Sequence, residues 1–418
     1  MSCLRLYHDA GPGRKNRSPC RARSLKYLVS WHQTAKVSSH SSSKREVRLK
    51  APGSAALDEQ MMAECLRLAK RGKGFVSPNP LVGAVLVKNG RVLSRGYHRR
   101  FGGAHAEIEC LRNKRADAQG ATLYVNLEPC SYYGKTPPCV DAVLRAKIGR
   151  VVAAMKDPNP RVHGRGIRRL RRGGIAVTVG VLRKEAEDLN RAFSRHIRRG
   201  YPYVHMKIAQ TIDGKIAPLG GRGRWITCEQ SRDEVHRWRA EYDAVLVGAR
   251  TVAVDDPRLS ARGVKGRSPD VVVLDGRLTS RVEARVFSGV RARRVFVCTS
   301  RAYAQRRAGK VSRLEKKGVE VLQFDSKGGT IGLRQVLRAL YRRGIGSLLV
   351  EGGAKVFRMF AEQGLFDELS IFIAPRFMGS GLTPFGERGR WRARGNGTLL
   401  WQPARRVGED LLLKAYVS

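Results

Sequence analysis

The sequence predicts an α/β protein built as two successive layered domains. Three observations carry this. Short apolar runs with strand character alternate with helix-period stretches from about residue 57 to the end. A chain of 418 residues is longer than one ordinary core and suggests two. Hydrophobic residues make up 42%, enough for globular packing, and no apolar run reaches bilayer length.

In order along the chain, residues 58–71 place Met61, Met62, Cys65, Leu66 and Ala69 at helical spacing. Residues 81–87 are an apolar run, Lys88-Asn89-Gly90 has turn chemistry, and residues 91–97 resume an extended pattern, so a hairpin is expected. Residues 105–111 read as a helix start, 121–127 as a buried strand, and 139–146 as a second amphipathic helix. Strands are expected at 151–155 and 175–179, and one long charged helix at 182–199. The second domain opens with a strand at 203–210 and an Asp213-Gly214 turn. Thr227 and Gln230 stand as a capping box before a helix. Further strands are expected at 244–248, 271–275, 294–299, 319–324, 347–350, 369–374 and 411–417, with a helix at 333–343 and another opening at Ala354.

One constellation carries chemistry. His105-Ala106-Glu107 is followed by Glu128-Pro129-Cys130 and then by Pro137-Pro138-Cys139. One imidazole and two thiolates are the donors zinc takes tetrahedrally in a site open to water. Glu107 is not needed as a ligand, so it can shuttle protons. An H-x-E followed by a P-C…C pair is the arrangement of zinc-dependent nucleobase deaminases. The two thiols are separated by eight residues, 131–138, and not by the two of the common form. That insert carries Lys135, which suits either a phosphorylated substrate or plain solvent.

Glu351-Gly352-Gly353 follows a strand and opens a helix, where backbone N–H groups can meet an anion. No G-x-G-x-x-G motif accompanies it. Eight cysteines in a chain this long do not suggest a disulfide framework. Cys65, Cys110, Cys228 and Cys298 sit in apolar or helical contexts typical of buried free thiols, which favours a reducing compartment.

The formal net charge is +46. The basic residues are spread along the whole chain, as in Arg168-Arg169-Leu170-Arg171-Arg172. Most of that charge reads as solvated surface of an Arg-biased composition, with nonspecific RNA binding as a side effect. Residues 1–56 are rich in Arg, Lys and Ser and poor in acids. Disorder, a transit peptide and an upstream start all fit that segment.

Pro78-Asn79-Pro80-Leu81-Val82-Gly83, Gly96-Tyr97-His98, His105-Ala106-Glu107, the Cys130 and Cys139 blocks and Asp157-Pro158-Asn159-Pro160 together resemble the bifunctional RibD family of riboflavin biosynthesis. The resemblance covers residues 60–418, and the long spacing of the Cys pair is its most specific part. It implies a cytidine-deaminase-like three-layer domain, expected at 57–198, and a dihydrofolate-reductase-like domain, expected at 199–418, that uses NADPH. His105, Cys130 and Cys139 would hold Zn2+, Glu107 would be catalytic, and Asn79 would hold the pyrimidine ring. Lys207 belongs to the same pattern. Ala209, Trp225, Thr251, Asp255 and Gly353 would contact NADPH. Gly223, Arg239, Leu259, Arg262 and Glu351 would border the substrate, the two arginines as phosphate partners. Gly223 and Gly276 depart from the side chains the family pattern carries there.

The reading is therefore deamination of 2,5-diamino-6-ribosylamino-4(3H)-pyrimidinone 5′-phosphate, then reduction of its ribosyl group. The expected partner is a phosphorylated pyrimidine, with no specific nucleic acid, no membrane, a cytoplasmic location and homo-oligomerisation left open. Plastid targeting by residues 1–56 is also left open. A tRNA or nucleobase deaminase and a basic nucleic-acid-binding protein are the alternatives; the Cys spacing and the second half argue against the first, and intact His105-Ala106-Glu107, Cys130, Cys139 and Glu351-Gly352-Gly353 against the second.

Overall fold

The computed structural model describes residues 54–114, 116–134, 137–219, 225–386 and 398–417. The expectation for residues 1–56 thus lies outside the described residues except at its end. There Ser54 caps α1 (Ala55–Ala69), its Oγ accepting from the Leu57 N–H at 3.2 Å. The helix therefore begins three residues before the apolar periodicity does.

The first sheet comprises β1 (Gly83–Lys88), β2 (Arg91–Tyr97), β3 (Thr122–Val125), β4 (Arg150–Ala153) and β5 (Ala176–Val179), in the order β2-β1-β3-β4-β5. β1 runs antiparallel to β2 and β3; β3, β4 and β5 are parallel. Asn89 and Gly90 both take positive φ, 51° and 69°, the geometry of a tight two-residue hairpin turn. α2 (Ala106–Arg112), α3 (Cys139–Arg145) and α4 (Arg165–Arg172) form one packed group. α1 packs on β1 and β3 and meets α5 (Arg183–Leu189). Leu86, Leu123, Val151 and Met62 are fully buried in the core between these elements.

The expected single helix over 182–199 is two helices, α5 and α6 (Arg191–Arg199). Asn190 breaks it, at φ −101° and ψ 20°. Its buried amide accepts from Leu81 N–H at 2.8 Å and donates to Leu81 O at 3.0 Å. A polar side chain anchored this way outweighs the weak propensity for one longer helix. Residues 126 and 127 leave β3 for a similar reason, because the Asn126 amide bonds Gly83 N–H and Leu81 O.

The second sheet holds β6 (Tyr203–Thr211), β7 (Ala244–Gly248), β8 (Asp270–Leu274), β9 (Val295–Ser300), β10 (Glu320–Phe324), β13 (Ser347–Gly352) and β14 (Glu368–Ala374), all parallel. β15 (Leu399–Trp401), β16 (Arg405–Val407) and β17 (Asp410–Val417) extend it antiparallel beyond β14. The order is β10-β9-β8-β7-β13-β6-β14-β17-β15, and β11 (Ser326–Lys327) and β12 (Thr330–Ile331) form a separate hairpin. Val271-Val272-Val273 and residues 295–298 are buried without alternation, as strands covered on both faces require. The covering helices are α7 (Glu229–Glu241), α8 (Ala249–Asp255), α9 (Arg301–Arg306), α10 (Ala308–Lys316), α11 (Leu333–Arg342) and α12 (Ala354–Glu362).

The expected Thr227/Gln230 capping box is not formed. Cys228 is the N-cap of α7 and makes no side-chain cap bond. Its N–H donates instead to Asp410 Oδ2 at 2.9 Å, so the cap comes from β17. Cys65, Cys110 and Cys298 are buried free thiols, whereas Cys228 is half-buried. Among the described residues no helix is long and apolar enough to cross a membrane.

Candidate functional site

His105 is the N-cap of α2, Cys130 follows β3, and Cys139 is the first residue of α3. Three element ends thus meet. His105 Nδ1 lies 3.2 Å from Cys139 Sγ and 3.5 Å from Cys130 Sγ, and all three donor atoms fall within 4.8 Å of one another. Tetrahedral zinc at its usual bond lengths needs donor separations of about 3.5–3.8 Å. The donor set fits the ion, and both His105–thiol distances lie within a few tenths of an ångström of what it needs. The Cys139 thiol and His105 push the Cys130 thiol down to about 4, so a thiolate is already favoured there. The Cys139 N–H points at Cys130 Sγ from 3.3 Å and helps hold that charge.

Glu107 lies one residue into α2 from Ala106 and is buried. Burial pushes its carboxyl up to about 7, partly offset by His105. A carboxyl near neutrality can both take and give a proton. His98 stacks edge-on to His105 with ring centroids 5.4 Å apart. Its Nδ1 lies 2.9 Å from Ala104 O, which can only accept, so Nδ1 carries the proton. Nε2 then accepts from Asn79 Nδ2 at 3.2 Å, which assigns the Asn79 amide and leaves its Oδ1 available for a ligand.

In the second sheet, the carboxyl ends of β6, β7, β8 and β13 open into a cleft of about 1490 Å³. It is lined by Lys207, Ala209, Trp225, Thr251, Asp255 and Gly353, and also by Arg239, Leu259, Arg262 and Glu351. One cleft therefore collects every site residue expected on this half except Gly223, which lies outside the described residues. Gly353 takes φ 82° at the N-terminus of α12, and a Cβ there would come within 3.1 Å of Thr251 Oγ1. Leu259 holds φ 53° although buried, a strained conformation fixed by its carbonyl accepting from Arg293 at 2.7 Å. Lys207 is half-buried in the cleft wall, and desolvation lowers its ammonium against the pull of Glu351.

One expected role changes. Arg239 does not offer its fork to a phosphate: Nε and Nη2 bond Glu351 Oε1 and Oε2 at 2.6 and 2.7 Å. The guanidinium is built into the cleft wall. Arg262 is exposed at the rim, and among the described residues its hydrogen bonding is through its backbone N–H to His236, so its guanidinium can receive an anion.

Residues 55–155 match the model described as "Cytidine and deoxycytidylate deaminase zinc-binding region", and residues 202–404 match "RibD C-terminal domain". The riboflavin biosynthesis protein RibD of Aquifex aeolicus is 41% identical over 85% of this chain and 98% of its own length. The Escherichia coli K12 RibD is 38% identical over 77% of this chain and 89% of its own. The chain belongs to the RibD family. The solved Acinetobacter baumannii RibD shares the fold at a TM-score of 0.77 with 33% identity, covering 87% of this chain and all of that one. A Thermotoga maritima structure, titled a diaminohydroxyphosphoribosylaminopyrimidine deaminase/5-amino-6-(5-phosphoribosylamino)uracil reductase, aligns at 0.74 with 36% identity over 87% and 99% of the two chains.

As in its family, the chain joins a cytidine-deaminase-like part to a dihydrofolate-reductase-like part. It is a bifunctional enzyme of riboflavin biosynthesis, a zinc-dependent deaminase and an NADPH-dependent reductase. Its departure from the family pattern at Gly276 has a structural reason. A Cβ at Gly276 would sit 1.8 Å from Gly329 O, in the β11–β12 turn. The hairpin occupies the space a hydroxyl side chain would need.

Three supporting residues were missed from sequence. Glu128, buried beside the Cys130 ligand, accepts from Asp157, Gly164 and Ile167 N–H groups at 3.1, 2.8 and 3.1 Å. It therefore caps α4 and pins the Asp157 loop under the metal cluster. His98 orients Asn79, and Asn190 anchors Leu81. Gly96-Tyr97-His98 and Glu128-Pro129-Cys130 both stand among the family blocks, so His98 and Glu128 were within reach of sequence reading and Asn190 was not.

Proposed function

We propose that the chain deaminates 2,5-diamino-6-ribosylamino-4(3H)-pyrimidinone 5′-phosphate in its first half, 57–198, and reduces 5-amino-6-(5-phosphoribosylamino)uracil in its second, 199–418. The observation that carries the first step is the cluster of His105, Cys130 and Cys139 with a buried Glu107 beside it. Those three side chains hold zinc, which when bound supplies an acidified water. Glu107 moves protons between that water, the ring and the departing amine. Asn79, oriented by His98, accepts from the ring through Oδ1. Burial of Glu107 keeps its proton exchange away from bulk solvent.

In the second half, Ala209, Trp225, Thr251, Asp255 and Gly353 hold NADPH, which supplies the hydride. Leu259, Arg262 and Glu351 border the substrate, together with Gly223. Arg262 takes the phosphate, and Arg239 fixes the Glu351 carboxylate. Lys207 stands beside that pair as a cation at the ribosyl end.

The enzyme needs no specific nucleic acid and no membrane for this chemistry, and a cytoplasmic location suits its free thiols. The test supplies purified protein with the diaminopyrimidine phosphate, with and without NADPH. Ammonia release without NADPH, followed by NADPH oxidation when it is added, is the expected result. Ammonia release from cytidine or tRNA with none from the phosphate would overturn it.

A further inference from the structure

The loop that carries Asn79 is held by the other half of the chain. Gly74 lies so close to the end of α7 that a Cβ would sit 2.2 Å from Ala240 O. Lys73 pairs with Glu241 at 3.0 Å, on the surface. Arg267 donates through Nε to Gly74 O at 3.0 Å and through Nη2 to Asp243 Oδ1 at 2.8 Å. Ser77 Oγ donates to Asp243 Oδ2 at 2.5 Å.

Asp243 is itself a fixed post. It is almost wholly buried between α7 and β7. Its Oδ2 also accepts from the N–H groups of Gly346 and Ser347, each at 2.9 Å, and from Ser347 Oγ at 3.0 Å. Gly346 has no side chain to block the approach: a Cβ there would lie 3.1 Å from Ser77 Oγ. Only Pro78, with its restricted φ, separates Ser77 from Asn79. On its far side the loop is tied by Asn79 to His98 and by Leu81 to Asn190. The first sheet and its helices thus hold one end of the loop, and β7 with α7 holds the other.

We propose that Asp243 and Arg267 are positioning residues for deamination: from the reductase half they set where Asn79 stands over the zinc cluster. This rests on the assignment of Asn79 to the pyrimidine. Neither Asp243 nor Arg267 lines the reductase cleft. Displacement of a substrate-holding group weakens catalysis through geometry and not through chemistry.

The test uses the full-length, zinc-loaded enzyme and the variants Ser77→Ala, Ser77→Thr, Arg267→Ala and Asn79→Ala. Deamination kinetics, zinc content and reduction of the separately supplied deaminated intermediate are measured for each. Ser77→Ala and Arg267→Ala should raise the deaminase KM about tenfold with a smaller change in kcat. Ser77→Thr, which keeps the hydroxyl, should recover most of the loss. Zinc content and reduction should stay at the parent level. An unchanged deaminase KM in both Ser77→Ala and Arg267→Ala, with Asn79→Ala impaired, overturns the proposal while the Asn79 assignment survives. An unimpaired Asn79→Ala removes that assignment and the proposal with it. Loss of zinc or of reduction in Ser77→Ala would mean general structural damage and also overturns it.

Discussion

Arg239 and Glu351 face each other across the cleft wall with two parallel bonds of 2.6 and 2.7 Å, both side chains largely buried. Such a pair is costly to break from one side, because Glu351, in a largely buried place, would lose both bonds and be left with the Lys207 charge near it. Arg239→Ala should therefore destabilise the protein by about 3–5 kcal/mol and abolish reduction. Arg239→Ala combined with Glu351→Gln should regain much of the stability and none of the activity. Chemical denaturation of the two variants checks this, and a loss under about 1 kcal/mol in Arg239→Ala would contradict it.

Glu107→Gln should keep one zinc per chain and lose deamination by about 10²–10⁴-fold, since the carboxylate moves protons and does not ligate. Metal analysis beside ammonia release decides the matter. A zinc-free variant would make Glu107 a ligand, and a fully active one would remove its role.

Cys130→Ser should release zinc and abolish deamination while NADPH-dependent reduction of the deaminated intermediate continues. The metal cluster lies on the first sheet and the cleft on the second, each with its own buried core. Loss of NADPH oxidation in a folded, zinc-free variant would show that the two reactions share one composite site.

His205 makes stability fall in acid. Burial lowers its ring to about 4, against 6.5 in an exposed chain. Between those values the unfolded chain binds the proton and the folded one does not, so stability is complete above about pH 6.5 and is lost as pH falls toward 4. The contribution is at most about 3 kcal/mol. His205→Gln, which keeps a partner for Ser370 Oγ at the 2.8 Å contact, should flatten this part of the pH dependence. Denaturation midpoints from pH 4 to pH 7 for both proteins measure it, and parallel slopes would refute it.

The net charge of +46 should give RNA binding that is weak, indifferent to sequence and steeply lost with added salt. A tight complex that survives high salt and selects a sequence would revive a nucleic-acid role.

Much of the candidate site was legible in the sequence. The meeting of His105, Cys130 and Cys139, with Glu107 buried beside them, could be expected there because zinc tolerates few donor types and the motif brings them in a fixed order. The parallel strands at the centre of the second sheet could be read because buried parallel strands demand unbroken apolar runs, whereas the short, largely exposed β15 and β16 carry no such run and were not read. Tertiary structure alone decided what polar side chains do once buried. Asn190 splits a helix by reaching Leu81, Asp410 caps α7 from β17, and Glu351 takes the fork of Arg239 away from phosphate. Asp243 and Ser77 stand 166 residues apart in sequence and share one hydrogen bond. No local pattern encodes such partners, because a buried polar group is satisfied by whichever complementary atom the folded chain brings within about 3 Å.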